Sequence, residues 1–330
     1  MPPRRPSFVD KRSGQTYSRE QVIPMHIDAV FREVTDELIR NSREQQEIDQ
    51  GRVFQRANLA NRPLVDRIIG SLQLPGSTIL GFDHLRELHE RARKGESALL
   101  LCEHYSNFDI PNLFYLAERM EGGTDVTGSI VAMAGTKLNE ESRFVLAFTE
   151  AYTRIVIYPA RMLRAYEGTP QYEDERIKSR TINRRALHEM IRVKHSGHIV
   201  LLFPAGTRYR PGKPESKQML VEVDSYMKGF DSVVFVGIAG NTLTVHPTGA
   251  MDKDIPKSDV MVYAASPVIS CREFRNGFRE GLDDPETAKR AVSEAVGRRL
   301  DEQHAIAEEH RTVVLAELAT RGIEPTHHEI

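Results

Sequence analysis

Ala98-Leu99-Leu100-Leu101-Cys102 is an unbroken apolar run, and Glu103-His104-Tyr105-Ser106-Asn107-Phe108-Asp109-Ile110-Pro111 follows it directly. A run this short, closed by polar residues, has the size of a strand buried on both faces. Such strands belong to parallel sheets covered by helices, so the flanking sequence should alternate between helix and strand. It does. Upstream, residues 83–95 read as a helix with Asp83 as its cap and Gly95 as the left-handed residue past its end. Downstream, 129–132 and 154–158 read as strands with a helix over 139–152 between them. A charged helix over 174–194 comes next, then strands over 198–203, 233–236 and 260–264. Asp284-Pro285-Glu286 combines a cap, a first-turn proline and an acid, and opens a C-terminal helix expected to run, with a break, to Gly322. The predicted fold over residues 79–330 is α/β, a mostly parallel mixed sheet flanked by helices.

Residues 1–78 read differently. Ile27, Val30, Phe31, Val34, Leu38 and Ile39 recur at helical spacing, and a second piece carries Val53, Phe54, Leu59, Leu64, Val65, Ile68, Ile69 and Leu72. This stretch is predicted to be a helical subdomain ending at Pro75-Gly76. Arg52, Arg56, Arg62 and Arg67 are interleaved with its apolar residues. Helical core is the first reading of that pattern, and membrane or carrier docking the second.

Composition narrows the function classes. The chain has 330 residues, 45 Lys plus Arg against 47 Asp plus Glu, and a net charge of −2. No dominant basic field favours nucleic acid as a partner. Cys102 and Cys271 are the two cysteines and form neither a disulfide framework nor a zinc spacing, so no metal site is expected. No apolar run approaches the roughly 20 residues that span a bilayer. The N-terminus is basic without the apolar stretch of a secretory signal. The expected compartment is the cytoplasm, or a plastid stroma if that segment is the remnant of a transit peptide.

In open α/β sheets ligands gather beyond the carboxyl ends of strands, which directs attention to the residues after Cys102, Tyr158 and Phe203. After Cys102, His104 and Asp109 stand five apart, about 140° apart on a helical wheel but able to meet in a tight loop. A carboxylate fixes an imidazole tautomer and raises its basicity, so that the other nitrogen can take a proton from a hydroxyl. After Phe203 comes Pro204-Ala205-Gly206-Thr207-Arg208-Tyr209-Arg210-Pro211-Gly212-Lys213. Two arginines in a loop opened by a glycine suit a phosphate, because guanidinium binds oxyanions bidentately. The spacing does not match a P-loop. Arg161, after Tyr158-Pro159-Ala160, is a third candidate cation.

Together, His104-x4-Asp109 and Phe203-Pro204-Ala205-Gly206-Thr207-Arg208 resemble the glycerolipid acyltransferase family over residues 79–240, about half the chain. The stretch from Ser179-Arg180-Thr181-Ile182-Asn183-Arg184 through Arg210 is most similar to the plastid-type glycerol-3-phosphate acyltransferases, which also carry a helical region before the α/β domain. The resemblance implies that a soluble enzyme moves a fatty acyl group from acyl-CoA or acyl carrier protein to the sn-1 hydroxyl of glycerol 3-phosphate, giving lysophosphatidate. It makes His104 the general base and Asp109 its orienting carboxylate. It places Arg161, Arg208 and Arg210, with Gly206 and Thr207, around the substrate phosphate. No cofactor is implied, and peripheral contact with a membrane would follow from the amphiphilic product. Three positions depart from the family pattern. Glu103 stands where Asn often precedes the His, Ala205 replaces a Glu, and Met162 stands where the subgroup has a His. Acylation of lysophosphatidate or dihydroxyacetone phosphate, and a non-catalytic phosphate-binding module, are the alternatives.

Overall fold

The computed structural model describes residues 31–42, 52–140, 142–246, 248 and 251–326, with the backbone of two short strands, β1 (Phe8–Val9) and β2 (Thr16–Tyr17). The further strands are β3 (Phe54–Gln55), β4 (Thr78–Leu80), β5 (Ala98–Cys102), β6 (Ile130–Gly135), β7 (Arg154–Ile157) and β8 (Ile199–Leu202). They are followed by β9 (Ser232–Ala239), β10 (Leu243–Thr244), β11 (Ile255–Pro256), β12 (Val262–Ala265) and β13 (Ile269–Ser270). A 9-stranded sheet runs in the order β3-β7-β6-β8-β5-β9-β12-β4, with β13 beside β9. Its centre, β7 through β9, is parallel, while β12 runs antiparallel to β9 and β3 antiparallel to β7. The fold is therefore the mostly parallel mixed α/β sheet that the apolar runs predict.

The apolar run 98–102 lies at the middle of this sheet because all five of its side chains are buried. Each fully buried leucine contributes about 1.5–3 kcal/mol, so an edge position would waste them. Leu100 and Cys102 face one layer, with helices Arg32–Asn41, Arg62–Leu72, Phe82–Arg93, Asp109–Ala117 and Arg143–Thr149. Leu99 and Leu101 face the other, with helices Tyr172–Lys194, Val223–Lys228, Cys271–Arg279 and Pro285–Thr320. The last of these crosses β9 at Gly237, where an added Cβ would lie 2.2 Å from the His304 backbone nitrogen. Only a residue without a side chain allows that approach.

Several local expectations change. Val53 and Phe54 are not helical. Phe54 lies in β3, and Val156 N–H donates to Val53 O at 2.7 Å, satisfying the open edge of β7. The helices over 32–41 and 62–72 share one apolar cluster with the sheet. Arg62 belongs to that core, bonded to Glu118 at 2.7 Å and stacked on Phe114 and Tyr152. Asp83 is not the cap of its helix. Left-handed Gly81 precedes the first turn, and Asp83 bonds Arg86 instead. Gly95 is left-handed as read, with φ of 99°. The single helix expected over 139–152 is two, Lys137–Glu140 and Arg143–Thr149, the second capped by Ser142. The C-terminal helix runs through Pro285–Thr320 without a break. Ile27 and Val30, and the terminal His327 and His328, lie outside the described residues. Among the described residues no helix is long and apolar enough to cross a membrane.

Candidate active site

Helix Asp109–Ala117 begins immediately after the loop that leaves β5, so Asp109 sits at its first turn with its side chain turned back into the loop. Asp109 Oδ2 lies 2.8 Å from His104 Nδ1 and accepts the backbone N–H groups of Tyr105 at 2.7 Å and Ser106 at 2.9 Å. Ser106 Oγ donates to Asp109 Oδ1 at 3.1 Å. With both carboxylate oxygens engaged as acceptors, His104 Nδ1 is the donor in this pair, which leaves Nε2 as the lone-pair nitrogen of the neutral ring. Asp109 is 2 % exposed and His104 17 %, so the carboxylate is sealed while the imidazole keeps access to solvent. The Phe203 ring stacks on the imidazole at a centroid distance of 3.9 Å and 10° between planes. Tyr263 OH donates to Asp109 O at 2.8 Å, tying the start of the helix to β12. The ring is thus fixed at its edge and on its face.

The arginine-bearing loop is joined to this histidine. Tyr209 N–H donates to His104 O at 2.7 Å, so the residues on either side, Arg208 and Arg210, are held next to the His104 loop. Gly206 makes the turn with φ of 63°, and a Cβ there would meet Leu220 Cδ1 at 2.6 Å. Thr207, half-buried, follows in the same turn. Arg210 is half-buried, and its buried Nε has no hydrogen-bond partner among the described residues. Arg161 is on the surface at the start of helix Ala160–Arg164. Crowding around its guanidinium, and then the charges of Arg210 and Arg208, lower its pKa. An anion placed beside Arg161 would offset the neighbouring positive charges. Arg161 thus lies within electrostatic reach of Arg208 and Arg210.

Arg208 differs from the reading made of it. It is buried, and its Nη1 bonds the fully buried carboxylate of Asp254, which also accepts His246 N–H at 3.0 Å. Burial raises the Asp254 pKa in spite of the Arg208 charge. Part of this guanidinium is committed to the fold, leaving Arg210 and Arg161 as the more accessible cations. Asp254 carries no sequence signal, because it lies 46 residues beyond its partner, near β11. Met162 turns to Thr136, whose hydroxyl lies 3.4 Å from its sulfur.

Glu103 points away from the imidazole into a second polar cluster that periodicity could not locate. Its carboxylate accepts Tyr105 OH at 2.8 Å and Ile238 N–H at 2.8 Å, and lies 3.0 Å from His304 Nδ1 and 3.8 Å from Lys217 Nζ. The hydrogen bond to Glu103 is the main cause that raises the His304 pKa. Burial and the neighbouring Glu103 push the Tyr105 hydroxyl well above its ordinary range. The C-terminal helix is thereby attached to the loop that carries His104. Between them lies a cavity of about 90 Å³, lined by His104, Ala205, Tyr209, Met219, Gly297 and Leu300 among others. No protein-family profile matches this chain, and no curated protein matches it in a sequence search.

Proposed function

We propose that this chain transfers a fatty acyl group from a thioester, on CoA or acyl carrier protein, to the sn-1 hydroxyl of glycerol 3-phosphate. The observation that carries the reading is the Tyr209 N–H bond to His104 O, which couples a carboxylate-oriented imidazole to a cluster of arginines. An acceptor with a phosphate at one end and a hydroxyl at the other uses both parts. Arg161 and Arg210 hold the phosphate, with Arg208 behind them on Asp254, and this fixes the hydroxyl near His104 Nε2. Nε2 takes the hydroxyl proton as the oxygen attacks the thioester carbonyl, and Asp109 stabilises the imidazolium that forms. The tetrahedral adduct then collapses with cleavage of the C–S bond. The imidazolium returns its proton to the departing thiolate, giving lysophosphatidate and free thiol.

The test is mass-spectrometric detection of the monoacyl glycerol phosphate formed from palmitoyl-CoA and glycerol 3-phosphate. Arg210→Ala should raise the KM for glycerol 3-phosphate by about ten- to a hundred-fold, the worth of one charge-assisted bond, and leave the KM for the acyl donor unchanged. A rise confined to the donor would move Arg210 to the phosphates of CoA.

A further inference from the structure

Helix Tyr172–Lys194 has apolar side chains on two opposite faces. Ile182, Ala186, Met190 and Val193 are buried against the sheet, where they join the clusters around β7 and β8. Ile177, Leu187 and Ile191 lie on the other side and are 55 %, 49 % and 44 % exposed. A helix apolar on both sides is ordinarily covered on both, and among the described residues only one side is covered. The outward residues lie within about 60° of one line and extend over about 21 Å. Arg180, Arg184 and His188, all exposed, fill the positions between them, and no acid interrupts the stripe from Ile177 to Ile191. The acidic residues of the helix are Glu173, Asp174 and Glu175 in the first turn, before the stripe begins, and Glu189. Glu173 pairs with Arg176 below the stripe, and Glu189 is turned inward to Arg185 and Arg192.

We infer that this outer face docks on an anionic lipid surface, with Ile177, Leu187 and Ile191 entering the headgroup boundary and Arg180 and Arg184 engaging lipid phosphates. Charge decides between occupants. A second copy seated by a two-fold axis would set Arg184, at the centre of the stripe, against its own counterpart. An anionic bilayer offers apolar and negative groups over the whole length. The helix is also fixed to the segment that leads to Arg161. Asn183 bonds Tyr158 N–H at 2.8 Å and Tyr158 O at 3.0 Å, and Tyr158 OH donates to Glu175 at 2.6 Å. Docking through this face would hold the arginine cluster beside the lipid surface. The inference rests on the helix alone and does not require the acyl-transfer reading.

Flotation of the full chain with phosphatidylcholine vesicles, with and without phosphatidylglycerol, tests it. The protein should float with the phosphatidylglycerol vesicles, release as salt is raised, and stay in solution with phosphatidylcholine alone. Arg180→Glu with Arg184→Glu should lower partitioning by roughly thirty-fold or more, since each arginine near such a surface is worth about five-fold. Ile177→Asn with Leu187→Asn and Ile191→Asn should lower it as well, with melting temperature unchanged because all three side chains are exposed. Failure to float with anionic vesicles, or equal flotation with both kinds, would overturn the assignment. So would binding that the arginine double variant leaves intact, which would put the lipid contact elsewhere on the chain.

Discussion

Asp109→Asn separates the two roles this carboxylate holds in the structure. Asp109 Oδ2 accepts three N–H groups, from His104 Nδ1, Tyr105 and Ser106, while Oδ1 accepts Ser106 Oγ. An asparagine can place its carbonyl oxygen at the Oδ2 position and keep all three donors. Its NH2 then meets Ser106 Oγ, which can turn from donor to acceptor. The lost charge weakens each retained bond by about 1 kcal/mol, the difference between charged and neutral hydrogen bonds. Removing a carboxylate that is only 2 % exposed returns part of this as relieved desolvation. The net loss of stability should be about 1–2 kcal/mol, a fall of a few degrees in melting temperature. The imidazolium that forms as the proton arrives loses its counter-charge, so kcat should fall by about 10²- to 10⁴-fold, or roughly 3–5.5 kcal/mol. Asp109→Ala strips the Tyr105 amide and the buried Ser106 amide as well, each worth about 1–3 kcal/mol, and should unfold far more readily. Thiol release from palmitoyl-CoA in the presence of glycerol 3-phosphate, beside a thermal melt, reads both effects. If Asp109→Asn turns over like the wild type while its melting temperature falls, the carboxylate only holds the loop and the orienting role is wrong.

Arg208→Ala should be the most destabilising of the three arginine changes, by about 3–5 kcal/mol, because it leaves the fully buried Asp254 unpaired; the fall in melting temperature should greatly exceed that of Arg210→Ala. His304 has a raised pKa when folded, so its contribution to stability is complete below its unfolded value near 6.5 and is lost as pH rises through the folded value. The wild type should therefore lose melting temperature relative to His304→Gln as pH rises above about 6.5, and a constant difference would show that the Glu103 contact does not couple to folding.

The sheet was legible because its central strands carry the signal themselves. Ala98–Cys102 and Ile199–Leu202 are short, wholly apolar and buried throughout. The edge was not. Phe54–Gln55 is a two-residue strand held by the backbone of β7, and Phe54 lies within a run of apolar residues that also fits a helix. His104 and Asp109 were legible as a pair because the loop between them is short and local. The long-range partners at the site were hidden for the opposite reason: Asp254 reaches Arg208, and His304 reaches Glu103, across long sequence separations that only the fold closes. Arg208 illustrates the consequence, since its place in a basic loop suggests an exposed ligand, whereas the buried carboxylate beside it takes part of its hydrogen-bonding capacity.

The proposed acyl transfer would require both His104 and an acceptor, and a single assay asks for both. Free thiol released from palmitoyl-CoA by the full chain should rise on addition of glycerol 3-phosphate. In His104→Ala that acceptor-dependent release should fall by at least about a hundred-fold, while glycerol 3-phosphate still binds through the arginines. Release that does not depend on glycerol 3-phosphate, or a His104→Ala variant that keeps more than about half of the wild-type rate, would contradict the assignment of His104 as the base in this reaction.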